Sequence, residues 1–161
     1  MKRRGKSLTF SEDEIEEISE MQYGDRRIYS LLTFLFPFVD TANNQFHIDH
    51  VFPKSRFSPA KLKQAGIEGD DVQAFRELFN CLPNLQLLEG VENMEKKAAL
   101  PHEWMEQHFS GDDDRTNYAS IHQLGDVPES ITEFVEFYDE RRDRLKEKLV
   151  ELLGSRAGVP T

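Results

Sequence analysis

The sequence predicts an α+β domain, a short strand pair embedded in a mostly helical chain. Three observations predict it. Capped amphipathic stretches recur along most of the 161 residues, two strand-like segments stand at 45–51 and 84–88, and 38% hydrophobic content supplies one real core. A chain of this length buries roughly two thirds of its unfolded surface, so it needs neither a disulfide nor a structural metal to fold.

The first helix opens at Ser11-Glu12-Asp13-Glu14, a capping box followed by Ile15, Ile18 and Met21 at helical spacing. Residues 26–36 are rich in Leu, Phe and Tyr without alternation and stop at Pro37, which suits a second, buried helix. Thr41-Ala42-Asn43-Asn44 is turn chemistry, 45–51 a strand, and Pro53 its end. Ser58 as N-cap, Pro59 at the first helical position and Gly66 just past the end frame a short helix over 60–65. A further helix fits 70–79. The second strand, 84–88, is followed by a turn at Glu89-Gly90 and helix-forming composition over 91–99. Pro101 restarts a helix through about Phe109, and Gly111-Asp112-Asp113-Asp114 ends it in an acidic loop that lacks the ligand spacing and closing Glu of a calcium loop. From Pro128 a long amphipathic helix runs through Ile131, Phe134, Val135, Tyr138, Leu145, Leu149 and Leu152 to Gly154, leaving 154–161 as a frayed tail. The whole reads as one domain over 1–161: N-terminal helices at 1–40, a core with inserted helices at 41–100, and C-terminal helices and tail at 101–161.

With 20 basic and 30 acidic residues the net charge is -10, which argues against a broad nonspecific nucleic-acid surface. The single cysteine, Cys81, excludes an internal disulfide framework and any Cys-pair zinc site, and points to a reducing, cytoplasmic setting. The longest apolar run, 28–39, is broken by Ser30, Thr33 and Pro37 and falls short of the ~20 residues a bilayer span needs. The basic start at 1–6 leads into an acidic stretch rather than a signal-peptide apolar region.

The chemistry concentrates in His47-Ile48-Asp49-His50-Val51-Phe52-Pro53, two imidazoles and a carboxylate within four positions at a strand end. Strict alternation puts His47 and Asp49 on one face and His50 on the other, so a shared site requires the ladder to break near Asp49. The alternative is structural: Asp49 and His50 cap a turn and His47 is a satisfied, partly buried histidine. The second piece is Asn84-Leu85-Gln86-Leu87-Leu88-Glu89-Gly90 with Asn93 and Lys96 on the helix that follows.

Together these segments resemble the HNH endonuclease motif of the ββα-metal fold, with Asp-His on the first strand, a middle Asn on the second and an Asn followed by Lys on the helix. The wider pattern, with Lys54, Ser55, Trp104, Phe137-Tyr138 and Arg141-Arg142, resembles the C-terminal nuclease domain of GmrSD-like restriction and anti-phage defence proteins. The HNH match itself covers 45–97, about a third of the chain. It implies a ββα-metal HNH core that hydrolyses DNA phosphodiester bonds. Within it His50 is the general base, Asp49 and Asn93 are ligands for Mg²⁺ or Mn²⁺, and Asn84 holds the loop that orients His50. His47 either completes the metal site or only supports it. Those proteins carry a ParB-like nucleotidase domain ahead of the nuclease, which 161 residues leave no room for, so a specificity domain in the same or a partner chain is expected.

Lys96 and Lys97 are candidates for phosphate contact, and Lys54, Arg56, Lys61 and Lys63 give 45–63 a local charge of +3, opposite in sign to the chain. An ordinary solvated lysine face is the alternative. His102, His108 and His122 read as structural or surface histidines, and Cys81 and Trp104 as core. Two rivals stand beside the nuclease: a non-catalytic protein-interaction module on the same fold, and a zinc-stabilised nucleic-acid-binding domain, which one cysteine makes improbable.

Overall fold

A computed structural model describes residues 10–37 and 45–156. The turn expected at Thr41-Ala42-Asn43-Asn44, the basic start and residues 157–161 of the expected tail lie outside them. Along the described residues the order is α1 Glu12–Ser19, α2 Ile28–Leu35, β1 Phe46–His50, α3 Pro59–Gln64, α4 Asp70–Leu78, β2 Leu85–Glu89, α5 Gly90–Lys96, α6 Pro101–His108, α7 Asp112–Ile121 and α8 Phe134–Arg156. The fold is α+β. No described helix is long and apolar enough to cross a membrane.

β1 and β2 pair antiparallel from Phe46 opposite Glu89 to His50 opposite Leu85, with α3 and α4 inserted between the strands. Alternation divides the ladder. Phe46, Ile48, Leu85 and Leu87 face a cluster with Ile15 of α1, Leu32 and Leu35 of α2, and Leu145 and Leu149 of α8. On the other face Leu88 joins Val51, Phe52, Phe57, Phe75, Trp104 and Phe134. Both faces are therefore covered, which a two-stranded sheet needs for stability.

Local chemistry explains the caps. Ser11 Oγ accepts the Glu14 amide hydrogen at 3.2 Å, and Ser58 Oγ accepts from Lys61 at 3.3 Å. Gly66 sits at φ 88°, a left-handed position that favours glycine after α3.

Four expectations require correction. Glu89-Gly90 is not a turn: β2 runs straight into α5, with Glu89 extended as its N-cap. Gly90 donates to the Gln45 carbonyl at 3.1 Å, and a Cβ there would meet His47 Nε2 at 3.3 Å, so the glycine accommodates the histidine. Helix α5 ends at Lys96, short of 99. Asp112, Asp113 and Asp114 are not loop but the first turn of α7, where their carboxylates complement the helix N-terminus; Arg115 bonds back to Asp112 and to the Phe109 carbonyl. The last helix begins at Phe134, after a 3-10 turn at Ile131–Glu133 capped by Ser130, and passes Gly154 to reach Arg156.

Arg141 is the most deeply placed charge of α8. It is fully buried, and its guanidinium donates to the Pro83 carbonyl at 2.9 Å, Leu85 at 2.7 Å and His122 at 3.1 Å. Burial lowers its pKa to about 9, which leaves it cationic at neutral pH. Its two bonds to Pro83 and Leu85 straddle Asn84, so the last helix fixes the start of β2.

Candidate functional site

The ladder stays regular through His50, so no break brings Asp49 and His50 onto one face. Asp49 faces α5, while His50 turns to the side where the α4 exit and the Met21 to Tyr23 connection meet.

His50 Nε2 lies 2.8 Å from Asn80 Oδ1. An amide oxygen only accepts, so this contact places the proton of the neutral ring on Nε2 and leaves Nδ1 with the lone pair. The ring sits between Tyr23, with centroids 5.0 Å apart, and Phe79, at 6.0 Å. Burial holds its pKa below the ordinary histidine value, against the opposing pull of Asn80 and the Asp49 charge. Asn80 is itself pinned, because its carbonyl accepts from the Tyr23 amide at 2.7 Å.

Asn84 is fully buried and belongs to the 3-10 turn Leu82–Asn84 that leads into β2. Its Oδ1 accepts from the Phe52 amide at 2.9 Å, and its Nδ2 donates to the carbonyls of Phe52 at 3.0 Å and Phe79 at 2.8 Å. The Asn84 backbone carbonyl takes the Val51 amide at 2.8 Å. One side chain thus joins the segment after His50 to the residue before Asn80, and sets the distance between the imidazole and its amide partner.

On the other face Asp49 lies opposite Gln86, whose Nε2 donates to Asp49 Oδ2 at 3.0 Å. Gln86 Oε1 in turn accepts from Tyr118 at 2.8 Å, and burial raises the Tyr118 pKa, keeping it a donor. Lys96 Nζ stands 3.0 Å from the same Asp49 oxygen and donates to the His50 carbonyl at 2.7 Å. Lys96 is 1% exposed. The expectation that it meets a phosphate is therefore corrected: in this arrangement its ammonium is an internal counter-ion. Burial lowers its pKa and Asp49 opposes the shift.

Asn93 is half-buried and three positions before Lys96 on α5, so the two share a helix face. His47 is exposed, on the Asp49 side of β1. A carboxylate, an amide oxygen and an imidazole on one side suit a hard divalent cation in chemical type. Among the described residues no three His, Cys, Asp or Glu side chains gather into a metal-holding group. Lys96 stands at one of the two Asp49 oxygens, Oδ2, so a cation at this carboxylate would have the ammonium as a neighbour.

No family model and no curated protein matches the chain. The site's chemistry rests on its own geometry.

Lys54 and Lys97 are exposed, as are Lys61 and Lys63, while Arg56 is half-buried with Nε on the Ala98 carbonyl at 3.0 Å. That bond ties the turn after β1 to the connection after α5. Lys97 closes α5 at φ 47°, a strained position for a residue with a side chain. His122 is buried against Tyr118 at 4.4 Å, Trp104 is core, and burial raises the Cys81 thiol pKa. His108 stacks on Trp104 at 4.9 Å, with Glu92 and Glu95 carboxylates at 3.4 and 3.5 Å.

Asn80, Gln86 and Tyr118 carry no local sequence signal. Gln86 becomes visible once the strand register is known, because the apolar pattern of β2 places it opposite Asp49. Asn80 follows an amphipathic helix as any polar residue might, and only its contact with His50 marks it.

Proposed function

We propose that the chain is a divalent-metal-dependent HNH endonuclease built on a ββα core of β1, β2 and α5, which hydrolyses DNA phosphodiester bonds. The observation that carries this reading is the His50 imidazole, bonded through Nε2 to Asn80 so that Nδ1 is the acceptor, one residue from the only carboxylate of β1. A half-buried imidazole with a lowered pKa is neutral at pH 7 and can take a proton from water.

The roles follow the chain. His50 Nδ1 accepts the proton as the water oxygen attacks phosphorus in line. The P–O3′ bond breaks and the departing O3′ takes a proton from solvent, leaving a 5′-phosphate and a 3′-hydroxyl. Asn80 fixes the tautomer of the base, and Asn84 fixes Asn80 by holding the Phe79 carbonyl. Asp49 and Asn93, with His47 beside them, would hold Mg²⁺ or Mn²⁺, which when bound supplies neutralisation of the charge developing on phosphate and leaving oxygens. Asp49 and His50 flank the same end of β1 from opposite faces, so a phosphodiester crossing that end would meet both. Lys54, Arg56 and Lys97 supply the neighbouring positive charge. A net charge of -10 makes the isolated chain a weak, salt-sensitive DNA binder. A ParB-like specificity domain in the same or a partner chain, in a restriction or anti-phage setting, would supply the missing affinity.

The second reading, a non-catalytic interaction module, draws on Val91 and Met94, 63% and 68% exposed on the outer side of α5. Plasmid cleavage at low salt decides between them. Wild type with Mg²⁺ or Mn²⁺ nicks supercoiled DNA, EDTA abolishes it, and His50→Ala slows it by about 10²- to 10⁴-fold. Nicking that survives His50→Ala refutes the assignment, and no cleavage with any metal moves the weight to the interaction module.

A further inference from the structure

We propose that Lys96 is a resident counter-ion that competes with the divalent cation for Asp49, so that metal binding and release of the Lys96 ammonium are one event. This rests on the nuclease reading and concerns the same site. The Lys96 ammonium contacts Asp49 Oδ2 at 3.0 Å and the His50 carbonyl at 2.7 Å, with the side chain 1% exposed. The Gln86 amide already bonds that oxygen, so the carboxylate has both a cation and a donor on one atom.

Asp49 Oδ2 already carries the ammonium and the Gln86 donor, so a divalent ion ligating this carboxylate through either oxygen enters beside a cation. A divalent ion ligated there would stand a few ångströms from the ammonium, in a setting where little water screens the repulsion. One of them leaves, and Lys96 is the one on a flexible stem at the last position of α5. The backbone immediately after it is held at φ 47° in Lys97, a conformation that stores strain at the point where α5 would have to give. Lys96 also bridges the two sides of the strand end, since it holds the carboxylate of Asp49 and the backbone of His50 together. Its departure therefore reports to the base as well as to the ligand.

Two measurements on the full chain test the competition. Mn²⁺ binding is followed by calorimetry and by electron paramagnetic resonance of the free ion, for wild type, Lys96→Met and Asp49→Asn. Lys96→Met keeps the apolar stem and removes the charge; it binds Mn²⁺ at least about tenfold tighter than wild type, and Asp49→Asn abolishes binding. The second measurement needs no variant: reductive methylation read by mass spectrometry finds Lys96 protected relative to Lys97 without metal, and modified as readily as Lys97 at saturating Mg²⁺. If Lys96→Met fails to fold, the methylation decides alone. Metal binding that leaves Lys96 protected, or that is no tighter in a folded Lys96→Met, overturns the competition and leaves the nuclease reading standing. Absence of metal binding in wild type and Lys96→Met alike overturns both.

Discussion

Asn80 and Asn84 are both asparagines within five positions, and they do different work. Asn80 spends its amide on one imidazole nitrogen. Replacing it by Leu removes the bond that fixes the tautomer and also the interaction that raises the His50 pKa. Cleavage by Asn80→Leu is expected to fall roughly 10- to 100-fold, the usual effect of losing an orienting partner. The sign of the pH effect is separate from the rate: in the proposed nuclease His50 would act as a base in its neutral form, and its pKa lies below the ordinary 6.5, so the acid limb of the wild-type profile should fall below pH 6.5, and that of Asn80→Leu lower still. A pH profile of nicking rate checks both. Asn84 serves three backbone groups in a site with no water access. Asn84→Ala strands those groups, and unfolding by urea should show a loss of about 2–4 kcal/mol.

At the level of elements, the prediction to test is the clamp between α8 and β2. Among the described residues Arg141 hydrogen-bonds to the carbonyls of Pro83, Leu85 and His122 rather than to a carboxylate, and its guanidinium lies 5.9 Å from the Phe36 ring centroid. Arg141→Met fills the volume and leaves three acceptors unpaired, so it should cost about 3 kcal/mol in urea unfolding, and Arg141→Lys, with a point charge instead of a fork, should recover only part of it. Most elements were legible in the sequence, and the reasons are local. Ser11, Ser58, Pro59 and Gly66 mark α1 and α3 because capping is decided within a few residues. The strands were visible from alternating Leu85 and Leu87, and from Pro53. What stayed hidden was decided at a distance. Asp112, Asp113 and Asp114 look like loop chemistry, and become a first turn because the positive end of α7 rewards them. Lys96 looks like a phosphate contact in a run of lysines, and is buried because Asp49, 47 positions earlier by number, faces it from β1. The regular ladder at Asp49 likewise depends on a partner strand that no window around His50 contains.

For the molecule as a whole, acid separates the native from the unfolded state through a buried histidine. His122 has its pKa lowered by burial, and by the nearby Arg141 and Lys148 charges, to about 3. In the unfolded chain it titrates near 6.5. Between those values the unfolded state binds a proton that the native state refuses, so stability falls as pH drops below 6.5; for this one group the loss is about 2 kcal/mol from pH 6.5 to pH 5. Urea midpoints measured across that range should fall accordingly in wild type, and the slope should flatten in His122→Phe, which keeps a ring against Tyr118 and Phe36. The connectivity of the site has a consequence for synthesis. Asp49 meets its Gln86 partner across 37 positions, and Arg141 reaches back 58 positions to Pro83. Neither closure is a hairpin, and the second awaits a helix near the end of the chain. A nascent polypeptide halted before α8 has left the ribosome therefore carries His50, Asn80 and Asn84 without the arginine that fixes the start of β2, and under the proposed nuclease reading that constellation would be incomplete until α8 emerges.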